Sequence, residues 1–373
     1  MAFLLLLGLL AAGARLEASV ESGGDLRSAL SGEDEQRTAQ MLVVEPALSA
    51  FLEEPGAQLQ ARYAPRFWFG DVHGVRQEGS FLGKWQATRN LAWAATQRLR
   101  YGRSEFTWDP GSRRPFDVLE ALLPVIPDEL SNDSEVSFSY LLSRNVSVYA
   151  GGGFLAFGGL SPASQQILPL QRGPQTYAGV EQQLTRVDRL STALYASHSF
   201  ITGGRQNSLL EVTEGWQRQL GSATRTRLAA GGSAVRKSRP QDVSKDLFPV
   251  ASVSLDHDLL ARAQRLELRA LAELGPHQSR LTGDLLERAE VGASARWVME
   301  ENFSLRCRGA FAKEMGGARL MLGTLDAVYR LRPDISFLAG AEALLQELPA
   351  QTDTGRLHWM AFTALKLTMP GSL

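Results

Sequence analysis

The 373-residue chain is 44% hydrophobic and 21% charged, with a net charge of -1. That balance argues against nucleic acid as the main partner, and a single cysteine, Cys307, excludes an internal disulfide and any cysteine-cluster metal site. No run of about 18 apolar residues occurs beyond the start, so a helical membrane protein is not expected; a strand-built one remains open, because only alternate side chains of a barrel strand meet lipid.

The chain opens on an apolar stretch from Phe3 to Ala12 and then Ala12-Gly13-Ala14. This small-x-small pattern predicts a signal peptide over 1–14, leaving 15–373 as the mature unit. From there the side chains alternate. Successive residues of an extended chain point to opposite faces, so apolar residues two apart mark a half-apolar strand. In 285–297, Ala289, Val291, Ala293, Ala295 and Trp297 share one face, while Arg288, Glu290, Gly292, Ser294 and Arg296 share the other. An amphipathic helix cannot produce that division.

This period predicts strands over 15–22, 38–51, 57–69, 79–87, 91–105, 134–142 and 146–157. It continues with 174–184, 189–201, 208–220, 224–235, 247–259, 264–274, 285–297, 303–312, 319–331, 335–345 and 356–368. The total is about 18, or 16 if the first two fail; either even number leaves both chain ends on the periplasmic side. Short polar turns punctuate the series: Leu142-Ser143-Arg144-Asn145, Leu184-Thr185-Arg186-Val187-Asp188 and Leu331-Arg332-Pro333-Asp334, with Thr88-Arg89-Asn90 and Glu300-Glu301-Asn302 as looser versions. Longer connections are expected to alternate with them. The longest, 107–133, holds a candidate short helix over 116–123 before Pro124 and Pro127, which could cover the mouth or fold inward.

These features predict an all-β fold, a single antiparallel up-and-down β-barrel crossing a bacterial outer membrane. Lipid offers no partner to an unpaired backbone group, so the first strand must pair with the last. Tyr63, Trp85, Trp93, Tyr101, Tyr140, Trp297, Tyr329 and Trp359 fall near strand ends, where interfacial aromatic belts form. Glu214 and Arg218 share a face with Leu210, Val212 and Trp216, which implies either a bulge or a position near the interface.

No catalytic signature stands out. The five histidines are scattered, no Gly-x-Ser-x-Gly occurs, and neither a metal nor a cofactor is expected. The function classes in view are therefore a conduit or a structural barrel, not an enzyme. On the face away from lipid, the candidate pore-lining residues are Arg98, Arg100, Arg225, Arg227, Arg269, Arg288, Arg296, Arg306, Arg308, Glu267, Glu273 and Glu290. They predict a polar, wet lumen with a positive excess. Such an excess biases passage toward anions, unless the charges pair into a network that stiffens the wall.

The architecture resembles Gram-negative outer-membrane porin-type barrels. More narrowly, Tyr63-Ala64-Pro65-Arg66 after the Glu54-Pro55-Gly56 turn, together with the repeated Leu-Ser-Arg-Asn/Asp turns, resembles barrels of myxobacteria and their relatives, some of which accompany polysaccharide export. The resemblance implies a passive aqueous conduit for solutes or an exported polymer such as a polysaccharide. Its partners would be outer-membrane lipid and periplasmic export proteins. A non-transporting structural or adhesive surface barrel is the alternative.

Overall fold

A computed structural model describes residues 15–28, 38–71, 73–103, 128–261, 264–300, 302–347 and 356–371. Its strands are β1 (Arg15–Ser28), β2 (Thr38–Glu54), β3 (Ala57–Tyr63), β4 (Arg66–Gly70), β5 (Gly74–Gln86), β6 (Leu91–Arg103), β7 (Asp128–Leu141), β8 (Val146–Gly159), β9 (Gln171–Gln183) and β10 (Asp188–Ile201). They continue as β11 (Arg205–Gln219), β12 (Thr224–Arg239), β13 (Asp242–Ala261), β14 (Gln264–Gln278), β15 (Leu285–Met299), β16 (Phe303–Glu314), β17 (Arg319–Arg332), β18 (Ile335–Glu347) and β19 (Arg356–Gly371). One short helix, α1 (Pro162–Ile167), lies between β8 and β9, its first turn capped by the Ser161 hydroxyl accepting from the Ser164 amide.

Apart from β3 and β4, each strand pairs antiparallel with its sequence neighbours, and β19 returns to pair with β1 from Leu16↔Gly371 to Arg27↔Met360. The wall is closed and leaves no edge for lipid to meet. β3 and β4 occupy one wall position, because both pair with β2 on one side and β5 on the other, so the wall has 18 positions. Their separation has a local cause. The register that sets Leu48 against Tyr63 and Val44 against Phe67 places Pro46 opposite Pro65. Neither can donate to the ladder, and the strand breaks there.

Carried strand by strand around the wall, the register returns to β1 displaced by about 22 residues. For 18 strands that stagger corresponds to a tilt of about 43° and a backbone radius of about 17 Å, wide enough for an aqueous interior. The shortest full-length strand, β16, has 12 residues and the longest, β13, has 20. At this tilt they span the roughly 25 Å apolar band.

Three of the repeated turns share one geometry. The amides of Leu142 and Ser143 both donate to the Val146 carbonyl, those of Leu184 and Thr185 to Asp188, and those of Ala87 and Thr88 to Leu91. The hydroxyl at the second position closes the turn from inside: Thr185 Oγ1 accepts from the Val187 and Asp188 amides at 3.2 and 3.0 Å, and Thr88 Oγ1 accepts from Asn90 and Leu91. The recurring Ser/Thr satisfies amides that a tight reversal would orphan. Both described chain ends lie at this end of the barrel, which is the periplasmic end by the convention of such barrels.

At the other end the expected alternation of short and long links is only partly met. β10 and β11 are joined by Thr202-Gly203-Gly204, and β12 and β13 by Pro240-Gln241. The β12–β13 ladder runs up to Arg239↔Asp242, so the charged stretch around Arg236 and Lys245 is strand where the alternation predicted loop. Strand that rises above lipid loses the apolar face that makes it recognisable, although Lys237 and Asp246 pair across it at 2.9 Å. The 107–133 connection is likewise shorter than expected, since β7 begins at Asp128. The candidate helix over 116–123 and the signal segment 1–14 lie outside the described residues.

Candidate functional site: the inner wall

Register assigns every strand residue to one of two faces. Val20, Leu42, Phe69, Val136, Leu194, Val212, Val253, Val291, Met321 and Leu365 are all exposed and fall on one of them, the outer face. All the aromatics expected in the belt share that face, among them Trp85, Trp93, Tyr140, Trp297 and Tyr329 close to the periplasmic turns. Cys307 is exposed on the outer face of β16. Glu214 and Arg218 are also on the outer face, and no bulge interrupts β11. Thr192 donates to Glu214 from the next strand, while Arg218 lies near Asp188 (3.8 Å) and over Trp216 at the turn. Hydrogen bonding and proximity to the interface accommodate these charges.

The twelve candidate residues all fall on the inner face, in two settings. Toward the periplasmic end, β12–β17 present Arg225, Arg227, Arg265, Arg269, Arg296, Arg306, Arg308 and Arg330 inward, against Asp256, Asp258, Glu267 and Asp326. Arg269 pairs with Asp256 at 3.8 Å, Arg296 with Glu267 at 3.8 Å, and Arg265 bridges Asp258 and Glu267 at 3.2 and 3.1 Å. Arg225 and Arg227 donate to the neutral amides of Gln219 and Gln217. Arg296 stands directly opposite Arg306, an arrangement that costs free energy between adjacent strands. Carboxylates are therefore outnumbered two to one here, and the region carries a positive field. On β6, Arg100 pairs with Glu78 at 3.2 Å and Arg98 stands opposite Asp133.

The second setting is packed. Arg288 and Glu290, 2.6 Å apart, are 5% and 10% exposed. Glu273 stands opposite Glu290, and His277 lies 3.2 Å from Arg288 and 3.7 Å from Glu314. These residues form a closed network in the outer half of the wall. The inner face of β16–β19 also departs from the expected polar lining: Leu320, Leu338, Leu344 and Met360 are buried there with Phe362 and Ala312 against them. Alternation reports which residues face lipid and cannot distinguish wet inner positions from packed ones.

One feature of the site was not legible. The β14–β15 link, 279–284, leans inside the wall and binds the inner face of β8–β12. Gln171 donates to the Ser279 and Arg280 carbonyls (3.0 and 3.2 Å), Asn207 to the Gly283 carbonyl (2.7 Å), and Arg205 to the Thr282 carbonyl (2.7 Å). Arg280 lies 4.2 Å above the Phe157 ring, and Asp284 receives Arg239 at 3.2 Å and Arg205 at 3.8 Å. Beneath it Leu285 packs with Leu209 and Val235. Gly283 has φ +74°, and an added Cβ would meet Ile201 at 3.0 Å, so both its backbone and its close approach require glycine. The link narrows the outer part of the lumen on that side.

Among the described residues no cluster of His, Cys, Asp and Glu is placed to hold a metal. His198 and His257 bond single hydroxyls, Ser208 at 2.9 Å and Thr224 at 2.7 Å.

A closed 18-stranded cylinder with an apolar outer face, an aromatic girdle and a charged interior is a bacterial outer-membrane β-barrel. The chain belongs to the EpsX exopolysaccharide export family, whose model matches residues 138–373. Its fold is similar to the crystal structure of OccAB2 of Acinetobacter baumannii, with 10% identity, TM-score 0.50, and coverage of 97% of this chain and 99% of that one. It is likewise similar to OccAB4 of the same species, with 6% identity, TM-score 0.50, and coverage of 96% and 98%. None of the curated proteins matches the chain.

Proposed function

We propose that this barrel is the outer-membrane conduit of an exopolysaccharide export system, passing the polymer passively through a lumen whose periplasmic half is lined by Arg225, Arg227, Arg269, Arg296, Arg306 and Arg308. The observation that carries this reading is that the export family's match runs from the end of β7 through β19 of a closed wall large enough for an aqueous channel. The excess of inward arginine over carboxylate favours anionic groups at the periplasmic entrance. Periplasmic export proteins that deliver the polymer would meet the short turns, and 1–14 would direct secretion. The reading assigns no residue a catalytic role and needs no cofactor.

Reconstitution into planar bilayers tests the reading: stepwise conductance is expected. Deletion of the gene should leave exopolysaccharide inside the cell while synthesis continues. A folded barrel that stays electrically silent, in a strain whose export continues unchanged without it, would instead support a structural or adhesive role.

A further inference from the structure

Of the seven tyrosines, Tyr63, Tyr101, Tyr140 and Tyr329 face outward. Tyr149, Tyr177 and Tyr195 face inward, on the three adjacent strands β8, β9 and β10. Tyr177 stands directly opposite Tyr195 on one side and opposite Gly151 on the other, while Tyr149 stands opposite Gly179.

The Tyr149 and Tyr177 rings lie along the wall. The Tyr177 hydroxyl donates to a Glu135 carboxylate oxygen on β7, two strands away, a separation of about 10 Å between backbones. The side chain can cover that distance only by lying down across β8. It crosses at Gly151, where a Cβ would come within 3.0 Å of the ring. Tyr149 lies over Gly179 in the same way, again where a Cβ would come within 3.0 Å. Tyr149 and Tyr177 have centroids 6.2 Å apart and planes inclined at 50°, so they form two facets of one curved surface. Tyr195, beside it on β10, packs against Leu209, Val235 and Leu285 and donates to Gln175 at 3.2 Å. Around this surface stand hydrogen-bonding groups on the same inner face: Glu135, Gln175 and the Glu181–Arg189 pair at 3.1 Å.

A flat apolar facet edged by planar polar groups matches one chemistry well. A pyranose ring presents a face of C–H groups and a perimeter of hydroxyls, so it can lie on an aromatic face while its hydroxyls bond at the edge. We infer that Tyr149 and Tyr177 form a saccharide-docking surface inside the lumen, over which successive sugar units of a polymer pass. This rests on the conduit reading and adds the ligand contact to it.

The probes are maltohexaose and cellohexaose, with a poly(ethylene glycol) of similar size as control, applied to the full-length barrel. Saturation-transfer NMR on the detergent-solubilised protein should show pyranose C–H protons in contact with the wild type. In bilayers, hexasaccharide current blockades should shorten roughly tenfold in the Tyr149→Ala/Tyr177→Ala variant and change by less than about threefold in Tyr149→Phe/Tyr177→Phe, which keeps both rings. Blockades by poly(ethylene glycol) should be the same in all three. Equal saccharide blockades in the Ala and Phe variants, or no sugar-proton contact with either hexasaccharide, would overturn the docking surface. Absence of conductance together with preserved NMR contact would overturn the conduit alone. Folding of each variant is checked by its heat-modifiable electrophoretic mobility.

Discussion

At the scale of single residues, the inner wall separates into charges that are neutralised and charges that set a field. Arg288 with Glu290 is packed and paired, whereas Arg296 opposite Arg306 holds two like charges on adjacent strands. Water in a wide lumen makes that juxtaposition affordable, and an arriving anion relieves it. Replacing both by glutamine (Arg296→Gln/Arg306→Gln) should lower the chloride-to-potassium permeability ratio by roughly twofold, read from reversal potentials across a salt gradient, with the effect fading at high ionic strength. An unchanged ratio would mean that Glu267 and Asp326 already neutralise the pair. By contrast, Arg288→Gln should leave selectivity alone and destabilise the fold, because it strips Glu290 of its partner where water cannot replace it.

At the scale of elements, the turns and the inward link show opposite relations to sequence. Periplasmic turns such as 87–91, 142–146 and 184–188 are local objects, each closed by its own hydroxyl and its own pair of amides, so their sequences announce them. The β14–β15 link is held by residues more than seventy positions away, such as Asn207 and Gln171, and nothing within 279–284 signals it. Gly283→Ala, or Asn207→Ala combined with Gln171→Ala, should release the link and raise single-channel conductance severalfold while melting changes little, since the wall's ladder is untouched. Conductance equal to wild type would show that the narrowest point lies elsewhere. The separation of β3 and β4 is intermediate in kind: Pro65 is visible in sequence, but only the register supplies Pro46 as the facing residue that leaves the ladder open on both sides.

At the scale of the whole molecule, one physical division organises the chain: lipid solvates one face of every strand and water or protein the other. Neighbouring residues should therefore respond oppositely to the same change. Val253, 50% exposed on the lipid face of β13, should cost about 2 to 4 kcal/mol when replaced by arginine, whereas Ser252→Arg, facing inward opposite Glu273, should cost less than about 1 kcal/mol. Urea titration of refolding into liposomes measures both. Equal costs would contradict the assignment of faces on which the site rests. Closure belongs to this scale too: β1 and β19 are at opposite ends of the chain, yet they share a twelve-residue ladder because a free edge in hydrocarbon would leave backbone groups unpaired at several kcal/mol each.

The amino-acid sequence by itself determined the strand series, the two faces of each strand and the candidate arginines, because the period of two is a property of each segment and lipid demands it segment by segment. Even the two N-terminal strands, where alternation is faintest, pair as expected across β1 and β2. Tertiary structure alone decided what the inner face meets. Whether an inward side chain finds water, a packed neighbour such as Leu320 beside Leu344, an inward-leaning link or a tyrosine laid over a glycine depends on residues far apart in the chain, brought together by the stagger and curvature of the closed wall. Alternation identifies the inward residues, and only the assembled cylinder determines their surroundings.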